Sequence, residues 1–423
     1  MTGTLWPMMM PLADADDDGI CVVRTSGHRI TFADGNTVLC GTSGLWNANL
    51  GYGNQAISAA VADALGSLSY AGVFRYENAP ARTAAERLIA ASAHDWARVI
   101  FSVSGGTAND LTMKLARQYH ELGGDPARKL VVGLKDGYHG LTFGAHALTG
   151  EDLGQRAYGV DTRLVRHVPA NDETALKALF AAFGRQIAAI VVEPVLGNGA
   201  VVLEAGYVEQ LGRFADETGA LLVADEVATG FGRTGGMFAS DGWTRQPDVL
   251  IASKGLTNGT MPASALLIRD RVADRFRDTG AVLLHGETQA GTAVTAAAVI
   301  ATLDEFERLG ALESGRTAAA ALDAALTRWQ SEDPAVLTTC GTGCFRAVVL
   351  ADPVHGGPLG PVHVLPLVRE IRRAGAQVHG GPNGVQLLPA LTYSPAEIDE
   401  LVSIVRDGVA AFSARVRREA SAG

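Results

Sequence analysis

Five short runs between Ala97 and Ser253 are apolar almost from end to end: Arg98–Val103, Lys129–Leu134, Ala188–Val192, Ala220–Ala224 and Val249–Ala252. A strand with one wet face alternates apolar and polar side chains. A run without alternation belongs to a strand covered on both faces, the condition of parallel strands flanked by helices. The intervening segments carry helical spacing; in Asn109–Glu121, Leu111, Leu115, Ala116 and Tyr119 recur on one side. The pattern predicts an α/β fold with a doubly wound, mainly parallel sheet. Ligands of such sheets sit beyond the carboxyl ends of the strands. The polar residues that end the runs, Ser104, Asp136, Glu193, Asp225 and Lys254, are therefore the first candidates for chemistry.

The flanking parts read differently. His28–Phe32 and Thr37–Leu39 bracket Asp34-Gly35-Asn36 as a hairpin, and a helix over Asn54–Leu65 follows. After Gly291 come helices rich in Ala and Leu, a strand at Phe345–Leu350, a helix at Leu365–Ala374, and a last helix whose start is marked by Ser394-Pro395. At 423 residues the chain exceeds one ordinary core. The expected division is a large domain over 66–300 and a small α+β domain made from both ends, 1–65 and 301–423.

Composition narrows the function classes. The formal net charge is −10 and no basic stripe occurs, which argues against nucleic-acid and anionic-membrane partners. The opening residues lack a positive segment, run into Asp14, Asp16, Asp17 and Asp18, and nowhere precede a long uncharged apolar span, so a cytoplasmic protein is expected. Cys340-Gly-Thr-Gly-Cys344 has the spacing of half a metal site, but no second half accompanies it. The four cysteines are expected to be structural and no metal is expected.

The chemistry concentrates in Leu221-Leu222-Val223-Ala224-Asp225-Glu226-Val227-Ala228-Thr229-Gly230 and in Ala252-Ser253-Lys254-Gly255. Two neighbouring strands deliver a carboxylate and an amine to the same crevice. A partly desolvated amine loses proton affinity and becomes a nucleophile toward an aldehyde. An acid beside it can keep a pyridine nitrogen protonated, so that the ring accepts carbanion electrons. Ser104-Gly105-Gly106-Thr107-Ala108-Asn109-Asp110 follows a strand and opens a helix, the arrangement that aims N–H groups at an anion. Each motif alone has a bland reading: Asp225 as a cap or ion pair, the Gly-Gly segment as a plain turn, Tyr138 and Trp46 as core anchors, Glu193 as a structural acid.

Together, in this order, the motifs resemble the class III aminotransferases, the ω-transaminase and diaminopelargonic-acid-synthase group of the aspartate-aminotransferase-like, pyridoxal-phosphate fold type I. The resemblance runs from Trp6 to about Ile398. It implies pyridoxal 5′-phosphate as cofactor, with Lys254 as Schiff-base lysine and proton shuttle, Asp225 on the pyridine nitrogen, and Val227 against one ring face. Tyr138, in Asp136-Gly137-Tyr138-His139-Gly140, would cover the other face, and Glu193 would brace the surroundings. Gly105, Gly106 and Thr107 would hold the phosphate. Thr288, in His285-Gly286-Glu287-Thr288-Gln289-Ala290-Gly291, would reach the phosphate of a second subunit's cofactor, so a homodimer with shared sites is implied. Leu45 and Trp46 would wall the substrate pocket.

Two departures bear on substrate. Family members that grip an α-carboxylate place an Arg three residues before the Pro of a late Pro-Pro/Ala-Leu motif; here Val385-Gln386-Leu387-Leu388-Pro389-Ala390-Leu391 puts Gln386 there. Gln cannot form the charged fork that Arg offers, and charge-assisted bonds contribute about 1.5–3 kcal/mol each. The expected substrate therefore lacks an α-carboxylate at that subsite: a small-molecule amine, ketone or aldehyde, or a peptide end. Arg75, in Phe74-Arg75-Tyr76, is the candidate replacement grip. The second departure is Glu287, where the family has an aromatic; it would suit a cationic substrate or simply be solvated on its loop. A ping-pong aminotransferase is the leading reading. A mutase, racemase, decarboxylase or lyase of the same fold is the alternative, and a non-catalytic regulatory protein on this scaffold is third.

Overall fold

The computed structural model describes residues 4–15 and 17–422, so Asp16 of the acidic N-terminal run lies outside the described residues. Near the start, β1 (Val22–Ser26), β2 (Arg29–Phe32) and β3 (Thr37–Cys40) form an antiparallel meander. The central sheet has seven strands: β4 (Arg98–Ser102), β5 (Leu130–Leu134), β6 (Val165–Val168), β7 (Ile187–Val192), β8 (Leu221–Asp225), β9 (Val249–Ala252) and β10 (Ser264–Ile268). Their spatial order is β4-β10-β9-β8-β7-β5-β6. Every neighbouring pair is parallel except those of β10, which runs antiparallel to both β4 and β9.

The continuous apolar runs have the expected cause. β5, β7, β8, β9 and β10 are buried residue by residue, with helices on both faces. Leu111, Leu115 and Ala116 of the helix Gly105–Leu122 pack on Val131, Val191 and Val223 from one side. Tyr207 and Leu211 of the helix Ala205–Thr218 pack on Val132, Ile190 and Leu222 from the other. Successive side chains of one strand thus feed two cores, and neither face can be polar.

The chain ends meet in a shared sheet. β11 (Val336–Thr342), β12 (Phe345–Leu350), β13 (Ala376–Gln377), β14 (His379–Gly381) and β15 (Gly384–Leu387) complete the strands. β13 adds to β3 in parallel, with Ala376 opposite Leu39 and Gln377 opposite Cys40. The other four form an antiparallel sheet in the order β11-β12-β15-β14. The helices Ala293–Arg308, Ala311–Glu332 and Pro395–Ala422 bury Val299, Phe306, Leu322, Trp329, Val405 and Phe412 in one large cluster with β15. No helix among the described residues is long and apolar enough to cross a membrane.

Candidate active site

The carboxyl ends of β4, β7, β8 and β9 open onto a cavity of about 300 Å³, lined among others by Gly105, Glu193, Asp225 and Lys254. Asp225 ends β8 with its carboxylate almost wholly buried. Its Oδ2 accepts from Asn109 Nδ2 at 2.8 Å and His139 Nδ1 at 2.7 Å, and its Oδ1 from the Val227 N–H at 3.1 Å. Burial pulls the His139 pKa down, but the hydrogen bond and charge of Asp225 outweigh it and the net direction is up. The bond fixes the Asp225 carboxylate in orientation at the cavity wall.

Lys254 follows β9 with φ +45°, in the left-handed region that a side chain rarely adopts. Its ammonium pairs with no acid and no carbonyl among the described residues; Nζ lies 4.6 Å from the centroid of the Trp46 ring. Burial, partly opposed by Asp225 and Glu193, lowers its pKa. A strained backbone aiming an unpaired, weakened base into a cavity is the arrangement of a nucleophile rather than of a surface charge.

The start of the helix Gly105–Leu122 borders the same space. Ser104 and Thr107 make a reciprocal capping box, each hydroxyl meeting the other's N–H at 3.2 Å. Thr107 Oγ1 also sits 2.8 Å from Ser102 Oγ. Its hydroxyl thus secures the turn, whereas Gly105 and Gly106 face the cavity. A Cβ on Gly105 would lie 3.0 Å from both Val227 methyls, and one on Gly140 only 2.5 Å from the Gly106 Cα. Tyr138 lines the cavity and its N–H donates to Glu193 Oε2 at 2.8 Å, while Gly197 N–H donates to Oε1 at 2.9 Å. Glu193 so ties two loops together, and burial pushes its pKa up to about 7.

Other expected residues lie apart. Leu45, Arg75 and Thr288 are exposed and do not line the cavity; among the described residues Thr288 is engaged only through its carbonyl, which accepts from Tyr70 OH at 3.0 Å. Gln386 is buried in β15 behind the cavity, with Nε2 donating to the Gly197 carbonyl at 2.8 Å. Glu287 corrects both expectations about it. Neither solvated nor open to a ligand, its carboxylate takes the Ser102 hydroxyl at 2.5 Å, the Val103 N–H at 3.1 Å and His285 Nε2 at 3.0 Å. It fastens its loop to the end of β4. Asn109 and His139 are residues to which sequence reasoning assigned no part, though both stand inside motifs it used.

A class III aminotransferase family model matches residues 12–409. The chain belongs to the class III aminotransferases. It is similar to a probable aminotransferase of Mycobacterium tuberculosis, 31% identical with 91% of this chain and 88% of the relative covered. An adenosylmethionine-8-amino-7-oxononanoate aminotransferase of Nitratidesulfovibrio vulgaris is 30% identical, covering 97% and 80%. Among solved structures, an amine transaminase from an uncultivated Pseudomonas species in its PLP-bound form superposes with a TM-score of 0.90, at 32% identity over 97% of this chain and 99% of that one. This aminotransferase is accordingly a pyridoxal-phosphate enzyme of fold type I.

The residues present fit that cofactor. The Gly105 and Gly106 N–H groups at the helix start have no partner among the described residues, as an anion site requires. The buried Thr142 hydroxyl is likewise unpartnered and would stand 3.4 Å from a Cβ on Gly106. Among the described residues Asp225 Oδ1 accepts one bond, leaving a lone pair for a ring N–H.

Proposed function

We propose that this aminotransferase moves an amino group, by a ping-pong sequence, to or from a substrate that carries no α-carboxylate. Pyridoxal phosphate, when bound, supplies an aldehyde carbon and an electron-accepting ring. Asp225, oriented by His139 and Asn109, would hold the proton on the ring nitrogen. The Gly105 and Gly106 N–H groups would hold the phosphate, while Thr107, expected to share in that, instead closes the capping box that shapes the turn; Val227 and Tyr138 would cover the ring, and Glu193 keeps the Tyr138 turn in place. Lys254 Nζ is the amine that would carry the cofactor and, when free, would take up a proton from the donor's amine-bearing carbon.

The observation that carries the substrate reading is Gln386. Its amide is neutral, buried and already committed to the Gly197 carbonyl. Turning it outward for a carboxylate would break that bond and supply no charge. Arg75 is the nearest alternative in sequence terms, but it stands on an exposed loop with φ +68° and does not line the cavity of its own subunit. Leu45, Arg75 and Thr288 act, in this reading, at the rim and across a homodimer interface. The alternative, a mutase, racemase, decarboxylase or lyase on the same fold, is separated by one half-reaction. Mixing holoenzyme with a donor amine and no acceptor is expected to convert the cofactor's aldehyde absorbance to that of its amine form. A panel of donors then ranks amines against α-amino acids. Efficient turnover of a plain α-amino acid, unaffected by Gln386→Ala, would refute the substrate reading.

A further inference from the structure

Glu287 stands where the family carries an aromatic, and its bonds reach further than its own loop. The Ser102 hydroxyl that donates to its Oε1 is buried and also lies 2.8 Å from Thr107 Oγ1, which closes the capping box at the start of the helix Gly105–Leu122. A continuous line of bonds therefore runs from Glu287 through Ser102 and Thr107 to the Ser104 N–H. Ser104, Gly105 and Gly106, at the end of that line, border the cavity. On its other side, Lys114 Nζ meets His285 Nδ1 at 3.2 Å. An ammonium only donates, so Nδ1 accepts and the imidazole proton sits on Nε2, toward Glu287. The carboxylate thus has a cation one imidazole away, which offsets its charge beside an anion site.

The direction of each proton in this line follows from the acid at its end. Burial raises the Glu287 pKa, but the bonds from Ser102, His285 and Val103 outweigh it and the net direction is down, so the group is ionised at neutral pH. An ionised carboxylate accepts only, and the single Ser102 proton therefore points to Glu287. The contact between Ser102 and Thr107 must then use the Thr107 proton, which leaves Thr107 lone pairs for the Ser104 N–H. Ser264 Oγ, on β10, donates to the Ser104 carbonyl at 2.8 Å and fixes the other end of that residue. Without the acid, the Ser102 proton is free to turn to Thr107, and the Thr107 proton to the Ser104 carbonyl 3.0 Å away. The turn would then have two proton arrangements instead of one.

We propose that Glu287 is a positioning residue for the cofactor's phosphate: by fixing the hydroxyl directions of Ser102 and Thr107 it keeps the Gly105 and Gly106 N–H groups aimed at the anion. This rests on the reading of those two N–H groups as the phosphate site, and adds what holds them in one direction. The test separates the phosphate from the rest of the cofactor. Full-length apoenzyme is titrated with pyridoxal phosphate and with pyridoxal, each followed by absorbance. Wild type is expected to bind the phosphorylated form at least about 100-fold more tightly, the worth of two charge-assisted bonds. Glu287→Gln keeps the shape, but its NH₂ must face either the Val103 N–H or the Ser102 hydroxyl, so the single arrangement is lost. It is expected to raise the Kd of pyridoxal phosphate by about 10- to 100-fold and to leave that of pyridoxal within about twofold. Ser102→Ala cuts the line while leaving Glu287 its bonds to Val103 and His285, and is expected to do the same. Tm reports whether each variant is folded, and Ser102→Ala decides the matter should Glu287→Gln fail that check. Equal losses for both ligands would mark a general disturbance of the fold and overturn the inference. Wild-type ratios in the variants overturn it too, while the phosphate reading stands. If wild type binds pyridoxal as tightly as pyridoxal phosphate, the phosphate reading itself fails and the inference falls with it.

Discussion

Gly140 ends the turn that carries Tyr138, with φ at +118°. A Cβ there would fall 2.5 Å from the Cα of Gly106 and 3.4 Å from the Ala145 methyl. Carbons in contact rest about 3.5–4.0 Å apart, so Gly140→Ala must push the two backbones away from each other by about 1 Å. No rotamer relieves that, because the obstacle is main chain. An unfavourable positive φ costs about 1–3 kcal/mol and forced separation of packed segments about 1–3 kcal/mol more. The Gly140 side is pinned: its carbonyl accepts from Thr149 Oγ1 at 3.0 Å, and the same hydroxyl takes the His139 N–H at 3.0 Å. The Gly106 side has free N–H groups and yields first. The displacement therefore lands on the anion site, and about 2–6 kcal/mol becomes a rise in the pyridoxal-phosphate Kd of between about 30-fold and about 10⁴-fold. Titration of apoenzyme with the cofactor, followed by absorbance, reads it. Gly66→Ala is the companion: Gly66 sits in the last turn of the helix Gln55–Ser67 with nothing within 4 Å of its Cβ position. It is expected to leave cofactor affinity alone and to add about 0.5–1 kcal/mol of stability. An unchanged Kd and Tm in Gly140→Ala would refute the close-approach argument.

Two further outcomes follow from the buried polar groups. Burial raises Glu193 to about 7, so the folded apoenzyme binds a proton there more tightly than the unfolded chain does. Its contribution to stability is complete in the acid range below the usual carboxylate value and is lost as pH rises through about 7, a change on the order of 3 kcal/mol. Glu193→Gln is expected to lack that part of the pH dependence when Tm is followed from pH 5 to 8.5; parallel profiles for the two proteins would remove the claim. Asn109→Leu keeps the volume of a fully buried side chain but deletes donors to Asp225 Oδ2, the His139 carbonyl and the Gly105 carbonyl. Stability is expected to fall by about 2–4 kcal/mol, with weaker cofactor binding; a wild-type denaturation midpoint contradicts it.

How much of this was legible in the sequence depended on whether the signal was local. β5, β7, β8 and β9 announce themselves because burial on both faces leaves no room for a polar residue. The same physics hid the antiparallel insertion of β10 between β4 and β9: Ser264–Ile268 is an apolar run too, and direction is not written in such a run. β6 is an edge strand of four residues containing Arg166 and His167, too short and too polar for the pattern. Asp225 and Lys254 stand at strand tips, where topology alone draws attention. Asn109 and His139 show no such mark, since their role lies in bonds to a residue more than 80 positions away. Glu287 bears no such mark either, because two of its partners, Ser102 and Val103, lie more than 180 positions away.

The backbone at the indole is left-handed over four consecutive residues. Ser43, Gly44, Leu45 and Trp46 have φ of 45°, 56°, 62° and 70°, a single left-handed turn closed by Trp46 N–H to Thr42 carbonyl at 2.7 Å and Asn47 N–H to Ser43 carbonyl at 2.9 Å. Three of the four bear side chains, at about 1–2 kcal/mol each. Against that stands the burial of one indole among Phe345, Ala347 and Leu388, about 4–6 kcal/mol for a ring of that area. The Ser43 hydroxyl adds a bond to the Leu388 carbonyl at 2.6 Å. The two sides nearly cancel, so the turn is no asset to the fold. Lys254 is left-handed as well, and its amine ends over the same ring. Two strained segments, more than 200 residues apart in sequence, are thus held so that one aromatic plate and one weakened base face each other across the cavity. Strain that the fold does not recover locally, gathered at the cavity from two directions, is the mark of a site built for function.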